Sequence, residues 1–258
     1  MSIDLADYER GRRYKGHYKR DLAELQERLE HIQVAHIVHH KAAVVMLEGW
    51  DAAGKGGIIQ RLTAEWDQRN YEVYPIAAPT AEEQRHDFLW RFREKLPEPG
   101  NIVVFDRSWY GRVLVERVEG YASAEEWQAG YAEINAFEAA LGAAGTTLVK
   151  LFVHTSQAEQ DKRLLARLDD PWKRWKTGLD DFRNRARRTD YLAAMHDMFA
   201  RTDTAAAPWH VIDGDDKKAA RIAALEIVAN ALAREVPMDP PELDPEVERV
   251  ARAALARA

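Results

Sequence analysis

The sequence predicts an α/β fold on a five-stranded parallel sheet, and three observations carry that reading. Short β-branched runs alternate with helical segments along most of the chain. The first of these runs leads straight into a glycine loop, a lysine and a helix, and another ends in a carboxylate. Strands joined through helices lie parallel, with right-handed crossovers.

The elements follow in order. From His17 to His40 the apolar residues Leu22, Leu25, Leu29, Ile32, Val34 and Ile37 recur every three to four positions, which predicts one long amphipathic helix, an N-terminal helical arm on the sheet domain. Strands are expected at Val44–Leu47, Val73–Ile76, Ile102–Phe105, Leu148–Val153 and Trp209–Ile212. Thr80 with Glu83, Ser123 with Glu126 and Ser156 with Glu159 each have capping-box spacing, so helices are expected to begin near 81, 124 and 157. Residues 1–236 read as a single domain. Pro237, Pro240, Pro241 and Pro245 then make a proline-rich linker, and residues 237–258 end in a short helix running from Asp244-Pro245 to Arg257.

Composition narrows the function. Among 258 residues there are 37 Lys+Arg and 43 Asp+Glu, a formal charge of −6, with no cysteine. The missing thiols exclude a disulfide framework, thiolate catalysis and Cys-ligated metal. A pI near 5.9 argues against a general nucleic-acid coat. The longest apolar run, Ala42 to Leu47, is strand-sized and far short of the ~20 residues that cross a bilayer. The charged N-terminus lacks the apolar segment of a signal peptide, so a cytoplasmic protein without membrane association is expected.

The first strand runs into Glu48-Gly49-Trp50-Asp51-Ala52-Ala53-Gly54-Lys55-Gly56-Gly57, then a helical pattern from Ile58 to Trp66. Gly49-x4-Gly54-Lys55 after a strand and before a helix is the spacing of a P-loop (Walker A). Its backbone N–H groups, those of Ala52, Ala53, Gly54, Gly56 and Gly57 among them, turn toward phosphate oxygens, and the lysine follows phosphoryl charge. A structural turn is the plain alternative. The Ser or Thr that usually follows the lysine to hold Mg²⁺ is replaced by Gly56, whereas Asp51 puts a carboxylate inside an anion-binding loop. Asp51 is therefore read as a magnesium-associated acid, with a loop-stabilising Asx-turn as the alternative.

Ile102-Val103-Val104-Phe105-Asp106 is a buried strand ending in a carboxylate, as in a Walker B element. Parallel strands share one carboxyl edge, so Asp106 should face the glycine loop. Arg107 and Arg112 are candidates for clamping phosphoryl oxygens, and an Asp–Arg pair tying strand to helix competes for Arg107. Glu116, four residues past Arg112, is placed to orient it. From Lys162 to Arg188, ten basic residues face four acids, which makes +6 and leaves −12 for the rest of the chain. That window suits a dense polyanion, and Asp170-Pro171 divides it into two helical pieces, as in a lid. A solvated basic helix face is the alternative, and Trp172, Trp175 and Phe182 fit a base-stacking shelf or a hinge core. His36 and His40 have metal-ligand spacing without a third partner and read as solvated or capping residues. Asp215-Asp216-Lys217-Lys218 reads as a surface turn.

The strings EGWDAAGKGG, LWRFREKLPEPGNIVVFDRSWYGRVLVERVEG, DDPWKRWK and APWHVIDGDDKKAARI resemble, in order, the polyphosphate kinase 2 family over about residues 15 to 235. The resemblance implies a three-layer P-loop kinase fold related to thymidylate kinase, with a helical lid. It also implies dependence on Mg²⁺, with Mn²⁺ as an alternative ion, and reversible phosphoryl transfer between inorganic polyphosphate and a nucleotide. The family's catalytic positions fall on Asp51, Lys55, Asp106, Arg107, Arg112 and Glu116, with Asp51 and Asp106 at the metal. The lid falls on about 162–188, with Arg163, Arg167, Lys173 and Lys176 toward polyphosphate. Gly178 stands where the family starts a lid helix with Ser or Thr, which weakens that cap. Trp50 and WYGRVLVERVEG look closest to the branch that phosphorylates nucleoside monophosphates, though AMP to ADP and ADP to ATP both stay open, as do guanine nucleotides. Homodimers or homotetramers are implied as well. An ATP-dependent nucleoside monophosphate kinase and a non-catalytic P-loop switch are the competing readings.

Overall fold

The computed structural model describes residues 3–256. Five strands form one parallel sheet: β1 (Ala43–Gly49), β2 (Tyr71–Pro75), β3 (Ile102–Asp106), β4 (Thr147–His154) and β5 (Trp209–Asp213). Their order across the sheet is β2-β3-β1-β4-β5. β1 sits at the centre, hydrogen-bonded to β3 and β4, and residues 43–48 of it are buried, as the continuous apolar run requires. All five expected strands are present, most of them extended by a residue or more.

The helices cover both faces. α1 (Tyr18–Val38) and α2 (Lys55–Leu62) pack with α9 (Lys217–Ala233), which lies on β4 and β5. The other group comprises α4 (Val115–Glu119), α5 (Ala124–Ala143) and α8 (Arg188–Thr202), with α5 against β4. The segment expected as the lid, about 162–188, falls on α6 (Gln157–Asp169), a 3₁₀ turn at Arg174–Lys176, α7 (Leu179–Ala186) and the first residue of α8. α10 (Pro245–Leu255) is largely exposed, and the expected endpoint Arg257 lies outside the described residues.

Several boundaries differ from expectation for physical reasons. Ser123 and Ser156 cap α5 and α6 as their spacing requires. Thr80 and Glu83 exchange the reciprocal capping bonds, yet only a 3₁₀ turn, Glu83–Arg85, follows. The stretch from Ala81 to Asp87 has no apolar face to bury, so the cap leads into no stable helix. The helix resumes as α3 (Trp90–Arg93) after Asp87 accepts from the Leu89 N–H. α2 stops at Leu62, short of Trp66, whose indole N–H is tied to the Leu29 carbonyl at 3.1 Å. At the start of α7 the Asp181 carboxylate accepts from the Gly178 N–H, which supplies half of the cap that a hydroxyl would complete.

Candidate active site

The phosphate loop starts where β1 leaves the sheet. Gly49 has φ of +133°, and a Cβ there would lie 2.1 Å from the Val153 carbonyl oxygen, so only glycine fits. Ala52 and Gly54 are left-handed, at φ +63° and +119°. The chain then enters α2 with Lys55 at its first position. The Lys55 ammonium is buried and donates to the carbonyls of Gly49 at 2.7 Å and Trp50 at 3.0 Å. Burial pushes it below the ordinary lysine range, and Asp106 and Asp51 oppose that push.

Asp106 is aligned with Leu47 on β1 and Pro75 on β2, which puts it at the carboxyl edge beside the loop. The chain turns at once through a left-handed Arg107, φ +68°, whose N–H donates to the Leu47 carbonyl. The Arg107 guanidinium donates to Asp51 Oδ1 at 2.8 Å and stays 53% exposed, so the pair joins loop to strand end and leaves the other guanidinium N–H groups open. Asp51 Oδ2 accepts from Asn184 on the lid at 2.9 Å. Burial raises the cost of ionising Asp51, but Lys55, Arg107 and the Asn184 amide outweigh it and hold the carboxyl below its usual range. Asp51, Lys55, Asp106 and Arg107 are thus one electrostatic unit.

Arg112 and Glu116 are not bonded to that unit among the described residues. Arg112 Nε lies 3.2 Å from Glu116 Oε2, the expected i, i+4 pair, and its guanidinium stacks 4.6 Å from the centroid of Phe88. Burial raises the Glu116 carboxyl, against the charges of Arg112 and Arg91.

The four residues expected to face polyphosphate from the lid separate three ways. Arg167 and Lys173 line a cavity of about 220 Å³ over Ala52, Ala53, Gly54 and Gly57 of the loop. Lys176 lies outside that lining, 5.1 Å from the Trp175 ring centroid. Arg163 differs from the expectation of a polyphosphate-binding cation. It is buried, and its donors are committed to Glu159 and to the carbonyls of Ala52, Ala53, Gly214 and Asp215, at 2.6–3.2 Å. Its place is that of a bracket holding the loop to β5, with only part of its surface on the cavity.

A family model, Polyphosphate kinase 2 (PPK2), matches residues 12–240. The chain belongs to the polyphosphate kinase 2 family. It is 45% identical over 230 residues to a polyphosphate:AMP phosphotransferase of Acinetobacter johnsonii, covering 88% of this chain and 47% of that one. It is 36% identical over 237 residues to ADP-polyphosphate phosphotransferase 3 of Rhizobium meliloti, covering 92% and 84%. The chain spans about half the length or less of the polyphosphate:AMP phosphotransferases it matches. A crystal structure of polyphosphate kinase 2 from Arthrobacter aurescens TC1 superposes with a TM-score of 0.89 at 37% identity, over 99% of this chain and 93% of that one.

Within this polyphosphate kinase 2 fold, further residues reach the site to which the sequence pattern assigns no role there, although several of them lie in strings that carry the family resemblance. Lys217 and Arg221, at the start of α9, line the loop cavity. The Asp215–Lys218 stretch is therefore more than a surface turn: Asp215 accepts from Thr155 and Ser156, Asp216 caps α9, and Lys217 faces the loop. Its position just after a strand's carboxyl end was the available signal. Trp50 donates from Nε1 to His154 Nδ1 at 3.0 Å, and Arg188 stacks 4.2 Å from the Trp50 ring centroid.

The donor set limits the kind of metal the site can hold. Among the described residues no group of three or more His, Asp or Glu side chains is placed to cage an ion. His36 is buried with both ring nitrogens near backbone carbonyls, and His40 is an exposed residue at φ +51°. Two acids at the loop, with Asp51 held ionised, fit a small hard cation that takes one or two carboxylates and completes its shell with phosphate oxygens and water. No described helix is long and apolar enough to cross a membrane.

Proposed function

We propose that this chain catalyses reversible, Mg²⁺-dependent phosphoryl transfer between inorganic polyphosphate and a nucleotide, with AMP the preferred acceptor. The loop cavity carries this reading: besides the committed Arg163 it is lined by Arg167, Lys173, Lys217 and Arg221 and by no carboxylate. So concentrated a set of cations suits a donor with a charge on every unit. The names of the polyphosphate:AMP phosphotransferases support AMP as acceptor, and ADP-polyphosphate phosphotransferases keep ADP as the alternative. No nucleic acid is invoked. A homodimer or homotetramer is part of the proposal, supported by exposed Val247, Val250 and Leu255 on α10.

The residues divide the work. Lys55 leaves its loop carbonyls to follow the transferring phosphoryl group, while the loop N–H groups hold its oxygens. Arg107 neutralises charge on the equatorial oxygens, and Arg112, oriented by Glu116, steadies the acceptor phosphate. Asp51 and Asp106 would hold Mg²⁺, which would supply Lewis-acid neutralisation of phosphoryl charge. Arg167 and Lys173 close on the donor.

The test is incubation of AMP, ADP, GMP and GDP, each with long-chain polyphosphate and Mg²⁺, followed by chromatography of the nucleotides. New ADP from AMP is expected. Absence of product from every acceptor, or transfer only when ATP is supplied as donor, overturns the reading.

A further inference from the structure

We propose that the extended N-terminal segment 9–14 ahead of α1, here the arm, and the start of α9 form a second anion subsite, which carries phosphates of the donor chain remote from the reacting end. The inference rests on the polyphosphate reading above and extends it to residues outside the loop and lid. A cavity of about 580 Å³ adjoins the loop cavity and shares Arg163, Ala166 and Lys217 with it. The arm gives Arg13 and Tyr14 to its wall, α9 gives Lys218, and α6 gives Lys162.

Charge in this second cavity is unbalanced. It also contains three acids, but each is engaged. Glu159 pairs with Lys162 and Arg163, Asp215 accepts from the Thr155 hydroxyl and the Ser156 N–H, and Asp216 accepts from the first N–H groups of α9. Arg13, Lys217 and Lys218 have no carboxylate within ion-pair distance among the described residues. Lys217 registers the crowding. Partial burial, then the charges of Arg163, Arg221 and Lys173, hold its ammonium below the ordinary lysine range, with Glu159 opposing.

The arm is fixed in place by the same strand ends that build the site. The Gly11 N–H donates to Asp213 Oδ2 at 2.8 Å, at the end of β5, and Glu9 pairs with His154 at 2.9 Å, at the end of β4. Gly11 turns the chain there at φ +56°, with its Cβ position 3.5 Å from Asp215 Cβ. The Tyr14 hydroxyl is tied to Asp21 at 2.6 Å, so the cations of the wall are the groups left to meet a ligand. A linear polyanion whose reacting end fills the smaller cavity has to leave it, and the shared wall at Lys217 opens toward a surface where five cations, Arg13, Lys162, Arg163, Lys217 and Lys218, outnumber three acids. The exit over the arm keeps each successive phosphate near a cation.

The double variant Arg13→Ala, Lys218→Ala tests this, with tetraphosphate and a chain of roughly 100 units as donors to AMP. The KM for the long chain is expected to rise about tenfold, and the slope of its logarithm against log salt to become shallower by roughly 0.7 per cation removed. kcat and the KM for tetraphosphate should stay at wild-type values. Calorimetric titration of both polyphosphates into the full chain makes the same comparison without turnover, with affinity lost for the long chain alone. Wild-type affinity and salt slope for the long chain, or equal losses for both donors, overturn the subsite. A wild-type chain that binds long polyphosphate in this way but transfers nothing refutes the proposed function and leaves the subsite standing.

Discussion

Asn184 on lid helix α7 donates a 2.9 Å hydrogen bond to Oδ2 of Asp51, the carboxylate inside the phosphate loop. Its own amide oxygen accepts from the Tyr191 hydroxyl at 2.9 Å, which fixes the orientation of the amide. The lid therefore aims one of the two acids assigned to the metal. Asn184→Ala removes one hydrogen bond to a charged group, about 1.5–3 kcal/mol. The half-saturating Mg²⁺ concentration is expected to rise about tenfold, with the KM for AMP little changed. A metal titration of activity checks this, and an unchanged midpoint refutes it.

In the proposed transfer Lys55 and Asp106 act on developing charge, so Lys55→Ala and Asp106→Ala should each reduce kcat by about a thousandfold or more. Far-UV circular dichroism should match that of the parent chain. Near wild-type turnover in either variant would remove the residue from the machinery.

A buried ion pair lies away from the site. Lys150 Nζ donates to Glu138 Oε2 at 2.8 Å and to the Thr202 carbonyl at 2.8 Å, while Glu138 Oε1 accepts from Trp109 and Tyr110. Glu138→Ala strands an ammonium whose side chain is fully buried, which costs about 3–5 kcal/mol. Melting should fall by about 10 °C at this chain length. Replacing both partners, Glu138→Leu with Lys150→Met, should recover much of that loss, and a double variant no better than the single one contradicts the account.

His154 gives the fold a pH dependence. Its Nδ1 accepts from the Trp50 indole, so the neutral ring keeps its proton on Nε2, facing Glu9. Burial holds its pKa below the ordinary histidine value, with Glu9 opposing. The unfolded chain then takes up a proton near pH 6.5 that the folded chain refuses. Stability contributed by the neutral ring is complete above that pH and falls as the pH drops toward the folded value. Thermal melting between pH 7.5 and 5 should show this decline, and His154→Gln should flatten it. Parallel profiles would assign the acid limb to other groups.

Elements whose signals are local could be read from the residues. Gly49, Gly54 and Lys55 announce their loop within seven positions, and the buried β-branched runs mark each strand. Thr80 and Glu83 show the limit of a local rule: the capping bonds form, but helix length depends on an apolar face that Ala81–Asp87 lacks. Arg163 and Lys217 exchange the parts their neighbourhoods suggest. The arginine in the basic window is bound to loop carbonyls, and the lysine in the apparent turn faces the cavity. Both outcomes depend on which strand ends meet across the sheet, and single-chain periodicity does not encode that.

The bracket made by Arg163 also determines how little of the molecule moves. It welds α6 to the floor of the site through Ala52, Ala53 and Gly214, and Arg188 does the same for the start of α8 through the Thr155 carbonyl and Gln160. Between these welds the span 170–178, broken by Pro171 and Gly178, makes no hydrogen bond to the loop or to a strand end among the described residues, whereas α7 is itself tied to the loop through Asn184 and to α6 through Arg185. A rearrangement confined to that short stretch leaves the Asn184–Asp51 bond, and with it the loop, in place. Hydrogen exchange would show slow amides through 157–169 and fast ones from 170 to 178, and uniform exchange across both would mean that the whole lid swings.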